Sequence, residues 1–362
     1  MLSKRYIIKI YSLDGTFVRT LDPNLLMNEV SFTDKIGGGQ GQCVLELNVP
    51  LDDFDEGTIV AHMNVLKIYE SDRTYSPTPR LIYTGFVSQY TPFVNNGREG
   101  VRVTLLGLVS FLSLGYFTSG GSYAFNKTDD PAEIMKDVID AFAAVYTGGW
   151  ISYAGGFITT VGTTVNYDFD KVKWLDALKK MAEFADADWW WHIGADGQVY
   201  LQDRPAAATH LLTIGKDVEE LEIGKNNEKI VNKYRLTYNT PPATLTFQDA
   251  TSQAAYGIRE KVETDSNTKD ATSANQKGDK MIADFKDPKV ETRLKVNNNY
   301  DIESIKPGDT VTIRNTKAGS NVLPGNLLVT AVSYTPSGVA LTLENQIPSL
   351  ADTFVAAVEA VG

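Results

Sequence analysis

The sequence of 362 residues predicts a mainly β protein in which an α+β insert lies between two similar β-barrel domains. Three observations predict this fold class. Short runs rich in β-branched and aromatic residues fill the beginning and the end of the chain, two amphipathic helical patterns lie between them, and the final hairpin repeats the residue order of an early one. We expect a first β-domain at 1–115, the insert at 116–207, a second β-domain with a helical insertion at 208–345 and a C-terminal tail at 346–362.

The first region has the pattern of an antiparallel barrel or sandwich. A strand-like run at 5–13 leads into the turn Asp14-Gly15, and an apolar run follows that turn, which is a hairpin signature. Segments rich in Gly, Pro, Ser and Asn separate the later runs. These later strands are predicted at 43–49, 64–70, 80–90 and 100–108.

Two helices are predicted in the insert. The segment "TDDPAEIMKDVIDAFAAVY" (128–146) begins with capping residues, carries Pro131 near the first turn and then repeats apolar residues at helical spacing. A second helix at about 170–185 has Asp170 as its predicted cap and an apolar stripe that includes Trp174 and Leu178.

Three of the five tryptophans follow the second helix in one predicted strand, 189–193, and the turn "GADG" joins it to a strand at 198–202. In a strand, Trp189 and Trp191 face one side and Trp190 faces the other. We expect Trp189 and Trp191 to pack beneath the preceding helix. We expect Trp190 to contact a neighbouring domain or subunit, because a large aromatic residue on a second face is typical of interfaces.

Carbohydrate binding is an alternative use of these aromatic rings, since exposed aromatic side chains on a β-face can stack on sugars. In that case Trp190→Ala abolishes glycan binding and leaves assembly intact. Loss of oligomerisation in the same variant argues against a binding module.

After residue 208 strand patterns return, and the last of them repeat the first domain. "LLVTAVSYTPSGVALTLEN" (327–345) resembles "LIYTGFVSQYTPFVNNGREGVRVTLLG" (81–107), because both place Tyr-Thr-Pro before a turn and Gly-Val after it. Upstream, 45–70 and 293–315 each contain a strand, an acidic connection and a second strand. The agreement in order and spacing of four strands favours a duplicated domain over the general likeness of β-hairpins.

The other predicted elements of this region are strands at 229–239 and 243–249 and a helix near 271–286. The turns of the two similar hairpins differ in length, most clearly 93–100 against 337–338. We expect such loops to contact different partners.

Composition indicates a soluble protein that does not bind nucleic acid. The net charge is −11, whereas nucleic-acid binding requires a basic stripe. The same negative net charge is compatible with a surface along which a polyanion passes without binding. A single cysteine excludes an internal disulfide, and the N-terminus lacks the pattern of a signal peptide. No apolar run approaches the roughly 18 residues of a membrane span, so we expect no membrane anchor.

The sequence offers no candidate catalytic, cofactor-binding or metal-binding residues. His62, His192 and His210 lie in different predicted elements without the spacing of metal ligands, so ordinary packed or surface histidines are expected. Cys43 opens a strand and is expected to be a small buried hydrophobic residue. Trp190 is the single interface residue that we predict.

Two further patterns have structural explanations. The Gly-rich segment "IGGGQGQ" (36–42) lacks the Lys-Ser/Thr of a phosphate-binding loop and is expected to be a flexible loop or the tight end of a hairpin. Glycosidases use paired carboxylates, but Asp129-Asp130 precede a helix that they can cap, and Asp52-Asp53 lie in a loop where solvation suffices.

The order of elements is the most specific feature of the chain. A β-domain with Asp-Gly hairpins precedes an insert that contains "LKKMAEFADADWWWHIGADGQVYLQDRP" (178–205), and "YGIRE" (256–260) and "IKPGDTVTI" (305–313) precede the last hairpin. Over nearly its whole length this succession resembles the tail hub proteins of tailed bacteriophages. That group includes the central baseplate hub of contractile phages and the N-terminal hub region of tail-associated proteins in long non-contractile tails.

The resemblance implies a homotrimer whose duplicated β-barrel domains form a pseudo-hexameric ring. Such a ring joins the sixfold tail tube or distal tail protein ring to a threefold spike or fibre protein. The resemblance further implies contact with the tape measure protein and passage of DNA through the lumen, in a virion tail that is assembled in the host cytoplasm. It supplies no catalytic residue, and because the chain ends at Gly362 we expect any adhesin or hydrolase to be a separate protein.

Other functions stay open at this point. The same fold serves as the hub of phage-derived contractile injection systems, and gene neighbours such as capsid and terminase genes separate the two. A hydrolase is the least favoured alternative, and activity of the purified chain on peptidoglycan would revive it.

Overall fold

The computed structural model of the chain describes most of the sequence. The described residues are 5–50, 60–71, 78–95, 97–239, 241–297, 299–315, 326–335 and 338–345. The predicted C-terminal tail at 346–362, the acidic pair Asp52-Asp53 and part of the turn at 337–338 lie outside the described residues.

The described residues up to 107 contain eight strands. They are β1 (Arg5–Tyr11), β2 (Phe17–Leu21), β3 (Phe32–Lys35), β4 (Gly38–Gly39), β5 (Cys43–Leu47), β6 (Val65–Ser71), β7 (Arg80–Asn95) and β8 (Arg98–Gly107). Six of them form an antiparallel sheet in the order β2-β1-β6-β7-β8-β5, here called the first sheet. Alternate residues such as Cys43, Leu45 and Leu47 point into its core, as the two-residue period of a strand requires.

The insert contains four strands and two helices. They are β9 (Ala124–Asp129), α1 (Pro131–Val145), β10 (Val165–Asp170), α2 (Trp174–Ala182), β11 (Trp189–Ile193) and β12 (Val199–Asp203). The first predicted helix is confirmed, with Pro131 in its first turn and the Asp130 carboxylate accepting a hydrogen bond of 2.8 Å from the amide of Ala132. Both helices pack with the inner face of β11 in one apolar core.

The predicted cap of the second helix is wrong. Asp170 is the last residue of β10 and pairs with Ala124 of β9, so its backbone is extended. The helix begins at Trp174, and Lys173 precedes it without a capping bond from its side chain. Strand pairing across the insert therefore overrode a favourable local capping pattern.

The remaining described residues contain nine strands and two helices. They are β13 (His210–Thr213), β14 (Val218–Asn226), β15 (Lys233–Tyr238), β16 (Ala243–Gln248), α3 (Ala250–Tyr256), β17 (Glu260–Asp265), α4 (Ala271–Phe285), β18 (Lys289–Val296), β19 (Thr310–Arg314), β20 (Leu327–Thr335) and β21 (Gly338–Glu344). The second sheet has the order β13-β19-β20-β21-β18-β14, and β3 also pairs with β20. The predicted strands at 229–239 and 243–249 instead form a small sheet, β16-β15-β17, against which α4 packs.

Four strands occur in the same order in both large sheets. The order is β6-β7-β8-β5 in the first sheet and β19-β20-β21-β18 in the second, and every neighbouring pair is antiparallel. These are the four strands whose residue order agrees in the sequence. The chain is thus mainly β with an α+β insert, as predicted.

Helices long and apolar enough to cross a bilayer are not found among the described residues.

Candidate functional site: the junction of three sheets

One short segment, residues 32–41, connects the first sheet, the insert and the second sheet; we call it the junction segment. Its β3 pairs antiparallel with β20, so a strand from the first region completes the second sheet. After a two-residue turn, β4 pairs parallel with β11 of the insert. The Gln40 side chain then reaches β7 of the first sheet, where it donates a hydrogen bond to the carbonyl of Ile82 and accepts one from the amide of Thr84.

The glycines of the junction segment permit close packing of backbones. Gly37 has a φ of +72°, which glycine adopts at little cost. A Cβ atom on Gly39 would lie 2.8 Å from the carbonyl oxygen of Ile193. The segment is the tight end of a hairpin, one of the two predicted forms, and Asp34 pairs with Gln40 across it. It is buried, so it is not a phosphate-binding loop.

Trp190 lies at the centre of the junction. Its side chain is 7% exposed and packs with Ile36 of the junction segment and Leu328 of β20. The indole nitrogen donates a hydrogen bond of 3.3 Å to the carbonyl of Asp203. The ring also lies over Gly308, where a Cβ atom would be 2.2 Å from it. The structure therefore places Trp190 between the insert and the second sheet of the same chain.

The other two tryptophans face the opposite side of β11. Trp191 is buried in the core beneath α2, and Trp189 is partly exposed and packs against that core. This is the alternation expected of a strand. With Trp190 and Trp191 covered by protein, the cluster presents no stack of exposed rings to a sugar.

The three histidines lie in three different environments. His192 is buried in the junction, where its Nε2 lies 2.7 Å from the Asp34 carboxylate. His210 lies with one ring nitrogen 3.0 Å from the Tyr300 hydroxyl and the other 3.0 Å from Asp309. His62 stacks on a tyrosine of β7. No two of them share a site.

Cys43 is buried in the first sheet, as predicted. Burial raises the pKa of its thiol to about 12, so the thiol stays protonated near neutral pH. A protonated thiol is a poor nucleophile and a poor metal ligand.

A buried ion pair lies beside the junction, on the second sheet. Glu344 is the cross-strand partner of Leu328, and its carboxylate lies 2.9 Å from the Lys289 ammonium. Arg204 of the insert bonds the neighbouring carbonyl of Asn345, which ties the insert to the same corner of the sheet. Burial raises the pKa of Glu344 to about 7, although Lys289 opposes this shift.

We expect the stability of the chain to fall between pH 4.5 and 7 because of Glu344. The ordinary pKa of a glutamate is 4.5, so in this window the folded state binds more protons than the unfolded state. The free energy of unfolding therefore decreases as pH rises and levels off above about pH 7. Urea midpoints at a series of pH values measure this. Glu344→Gln should flatten the slope, whereas Glu222→Gln on the exposed β14 should leave it unchanged; equal slopes in both variants contradict the assignment.

A second polar cluster joins the insert to the small sheet. The carboxylates of Glu183, Glu263 and Asp265 lie close enough together to hold a metal ion. The Lys277 ammonium lies between them, at 3.0, 2.6 and 2.8 Å respectively, and Lys180 lies 3.8 Å from Asp265. The cluster therefore already contains a cation. Burial raises the pKa of Glu263, but the Lys277 ammonium outweighs burial and the pKa is lowered to about 2.

Gly308 provides a direct test of packing at the junction. Gly308→Ala combines a backbone φ of +93° with a Cβ atom 2.2 Å from the Trp190 ring, so we expect a loss of about 2–5 kcal/mol in the free energy of unfolding. Gly215 is the matched control, because its φ is +80° and a Cβ atom there meets nothing within 4 Å. Gly215→Ala should lose only about 1–2 kcal/mol. Denaturant unfolding of both variants gives the comparison, and equal losses would mean that Trp190 does not constrain this position.

Residues 201–354 match the family described as "Prophage endopeptidase tail". This range runs from β12 to beyond β21 and includes every strand of the second sheet except β3. A comparison with curated proteins returned no match.

Solved structures extend the comparison to nearly the whole chain. A tail protein from Neisseria meningitidis MC58 has a TM-score of 0.63 and 12% identity, over 94% of this chain and 97% of its own. The 43 kDa tail protein of prophage MuSo2 from Shewanella oneidensis has a TM-score of 0.61 and 11% identity, over 96% and 99%. The resemblance to phage tail and baseplate hub proteins is confirmed. At such low identities the structural similarity shows the fold alone.

A third similar structure is not from a phage. A component of the type VI secretion system of E. coli has a TM-score of 0.50 and 9% identity, over 96% of this chain and 75% of its own. That protein is described as structurally similar to the T4 bacteriophage tail proteins gp27 and gp5.

Proposed function

We propose that the chain is the structural hub of a phage tail tip or baseplate, and that it forms a homotrimer with a pseudo-hexameric ring. The observation that carries this proposal is the common strand order β6-β7-β8-β5 and β19-β20-β21-β18 in the two large sheets. Three copies of two similar β-domains present six near-equivalent surfaces, while the trimer itself keeps threefold symmetry. One assembly then fits a sixfold ring on one side and a threefold spike on the other.

The proposed partners follow from this adaptor geometry. The six β-domains contact a tail tube hexamer or distal tail protein ring, and the threefold end contacts a spike or fibre protein. The tape measure protein and then DNA occupy the lumen. A net charge of −11 favours passage of DNA over retention, because phosphates are repelled. The proposed location is the virion tail, with assembly in the host cytoplasm.

The proposed domain boundaries are 1–115, 116–207 and 208–345, and the junction segment crosses between these domains. The junction segment belongs to the first domain in sequence and contributes strands to the insert and to the second sheet. The interlocked strands favour a hub in which the two β-domains of one chain keep a fixed relative position.

The proposal includes no enzymatic role. The family description contains the word "endopeptidase". The histidines near the junction are nevertheless hydrogen-bonded to other protein groups. The His192 and Asp34 side chains are paired and buried, and both ring nitrogens of His210 face protein groups. Release of peptides from purified peptidoglycan by the pure chain would contradict this part of the proposal.

The mass in solution tests the trimer. Light scattering should give three copies of the 39.8 kDa chain, and electron micrographs should show closed rings. Class averages should have threefold symmetry with six similar density lobes. A chain that stays monomeric alone and in the presence of a tail tube or distal tail hexamer contradicts the hub.

A hub of a phage-derived contractile injection system is the second candidate. The observation that favours it is the fold shared with the type VI secretion component from E. coli. Capsid and terminase genes beside the gene for this chain support the phage, and a contractile particle without packaged DNA supports the injection system.

A further inference from the structure

Each large sheet ends in a strand whose outer side is open. β2 is the last strand of the first sheet, and β14 is the last strand of the second. Within the part of the chain that the structure describes, no strand pairs with the outer side of either. Both carry exposed apolar side chains: Phe17 is 53% and Val18 52% exposed on β2, and Ile223 is 43% exposed on β14. Open edges with apolar residues are templates for pairing with another chain.

The opposite edge of the first sheet is covered within the chain. Leu26 bridges to Leu47 of β5, and the Asn28 side chain bonds the backbone of Val44 and Glu46. This stretch leads into β3, which pairs with β20 on the side where β19 also pairs. One chain therefore connects the β5 side of its first sheet to the β19 side of its second sheet.

The end strand β13 of the second sheet lies on the side of this internal connection, so β2 and β14 are the edges that we assign to a neighbouring copy. In the common strand order, β5 corresponds to β18 and β6 corresponds to β19. The open edge of the second sheet, β14, lies beyond β18, and the open edge of the first sheet, β2, lies beyond β6. Within one chain, the β5 side of the first sheet connects to the β19 side of the second. The equivalent contact between copies joins the β18 side, which ends in β14, to the β6 side of the next copy, which ends in β2. This is a head-to-tail contact that repeats around a ring.

The charges beside the two edges are complementary. β14 carries Glu219, Glu220 and Glu222, all exposed. Lys295 of β18 lies 2.9 Å from Glu219 and 4.0 Å from Glu220, so Glu222 supplies most of the uncompensated acidic charge of this edge. Beside β2, Lys9 of β1 lies directly opposite Lys67 of β6, a like-charge pair that a nearby carboxylate would stabilise. Burial lowers the pKa of Lys67, Asp196 opposes this shift and Lys9 adds to it.

We propose that β14 of one copy pairs with β2 of the next copy through backbone hydrogen bonds, so that three such contacts close the ring. The inference rests on the proposed homotrimer and specifies its interface. Strand addition at a sheet edge supplies affinity through backbone hydrogen bonds. The charges beside β14 and β2 favour this pair of edges over others.

Engineered cysteines test the contact, because the native Cys43 is buried. The variant Val18→Cys/Ile223→Cys is treated with a bismaleimide that spans about 8 Å, the distance between diagonal neighbours on paired strands. We expect dimer and trimer bands on a denaturing gel, with more than half of the chain cross-linked. Each single variant should remain monomeric on the gel, because a head-to-tail contact brings residue 18 only to residue 223.

The control pair is Val18→Cys/Ile258→Cys, in which the second cysteine lies at an exposed position between α3 and β17, outside both large sheets. It should give no cross-link between copies. A trimer by light scattering without cross-linking of the 18/223 variant overturns this interface and leaves the hub intact. A dimer band from Ile223→Cys alone means that β14 pairs with itself, which also overturns it. An unmodified chain that stays monomeric alone and with a tail tube or distal tail hexamer, and that gives no cross-links, overturns both proposals.

Amide hydrogen exchange tests the same contact on the unmodified chain. In the assembled chain, amides of 17–21 and 219–226 should exchange at least about tenfold more slowly than in a chain diluted to monomer, because strand pairing protects them. The amides of the covered strand β5 should exchange equally in both states. Protection that is unchanged on assembly at both edges contradicts the strand pairing.

Discussion

Lys277→Met is expected to lower the free energy of unfolding by about 3–5 kcal/mol, the usual loss when one partner of a buried ion cluster is removed. The side chain of Lys277 is 2% exposed and neutralises carboxylates from two regions, Glu183 at the C-cap of α2 and the two acidic residues of β17. Methionine keeps the length of the side chain but removes its charge. Three carboxylates then face each other with only the more exposed Lys180 and Lys261 nearby. Urea unfolding measures the loss.

Lys216→Met is the matched control for Lys277→Met. The side chain of Lys216 is 74% exposed and its ammonium lies 3.9 Å from the carboxylate of the buried Asp217, so the lysine charge itself is largely solvated. We expect a change of less than about 1 kcal/mol. Similar losses for the two variants would show that the cluster between the insert and the small sheet contributes no more than a surface pair.

The pH dependence separates charge from packing at Lys277. In the folded chain the pKa of Glu263 is about 2, below its ordinary value of 4.5. A lowered pKa means that the contribution to stability is present above pH 4.5 and is lost as pH falls towards 2. We expect the difference between the unmodified chain and Lys277→Met to shrink over this window. A difference that is constant with pH indicates a packing defect instead.

Elements that depend on neighbouring residues could be predicted from the sequence. The helix α1, the helix α4 and the strand β11 each have an apolar period or a turn that a single segment reveals. The second helix shows the limit of such reasoning. Asp170 is a suitable cap in isolation, but its pairing with Ala124 in β10 and β9 decides its conformation.

The contacts of the junction could not be predicted, because they join residues far apart in the chain. His192 and Asp34 are separated by 158 positions. They meet because β3, which lies in the first domain in sequence, pairs with β20 of the second sheet. Gln40 likewise bonds β7 across 42 positions. A periodic pattern describes one element at a time and does not contain such pairings.

Two missed features did leave signals. Lys277 lies on the buried side of α4 next to Ala274 and Gly278, and a lysine among such residues indicates a buried partner. The strand β14 carries three glutamates, which are poor strand formers, and so it has no strand pattern. Charged residues are typical of edge strands, however, and the edge is where the structure places it.

Trp190→Ala is expected to lower the free energy of unfolding by about 3–5 kcal/mol, because removal of a buried tryptophan leaves a cavity that its neighbours fill only in part. The cavity opens between Ile36, Leu328 and Gly308, where the insert meets the second sheet. Trp190→Phe should lose less, since it retains an aromatic ring, although it gives up the bond to Asp203 and part of the packing against Gly308. Tyr123→Ala, at a residue 53% exposed, should change stability by less than about 0.5 kcal/mol.

The same variant separates the proposed hub from a carbohydrate-binding module. If the Trp190 ring sets the position of the second sheet, Trp190→Ala weakens the trimer measured by light scattering, because β14 is carried on that sheet. Trp190→Phe should then keep most of the trimer. A stable, fully trimeric Trp190→Ala chain that has lost binding to a glycan would instead assign the ring to ligand recognition. Burial of the ring between two sheets favours the first outcome, because a ligand would have to separate the insert from the second sheet to reach it.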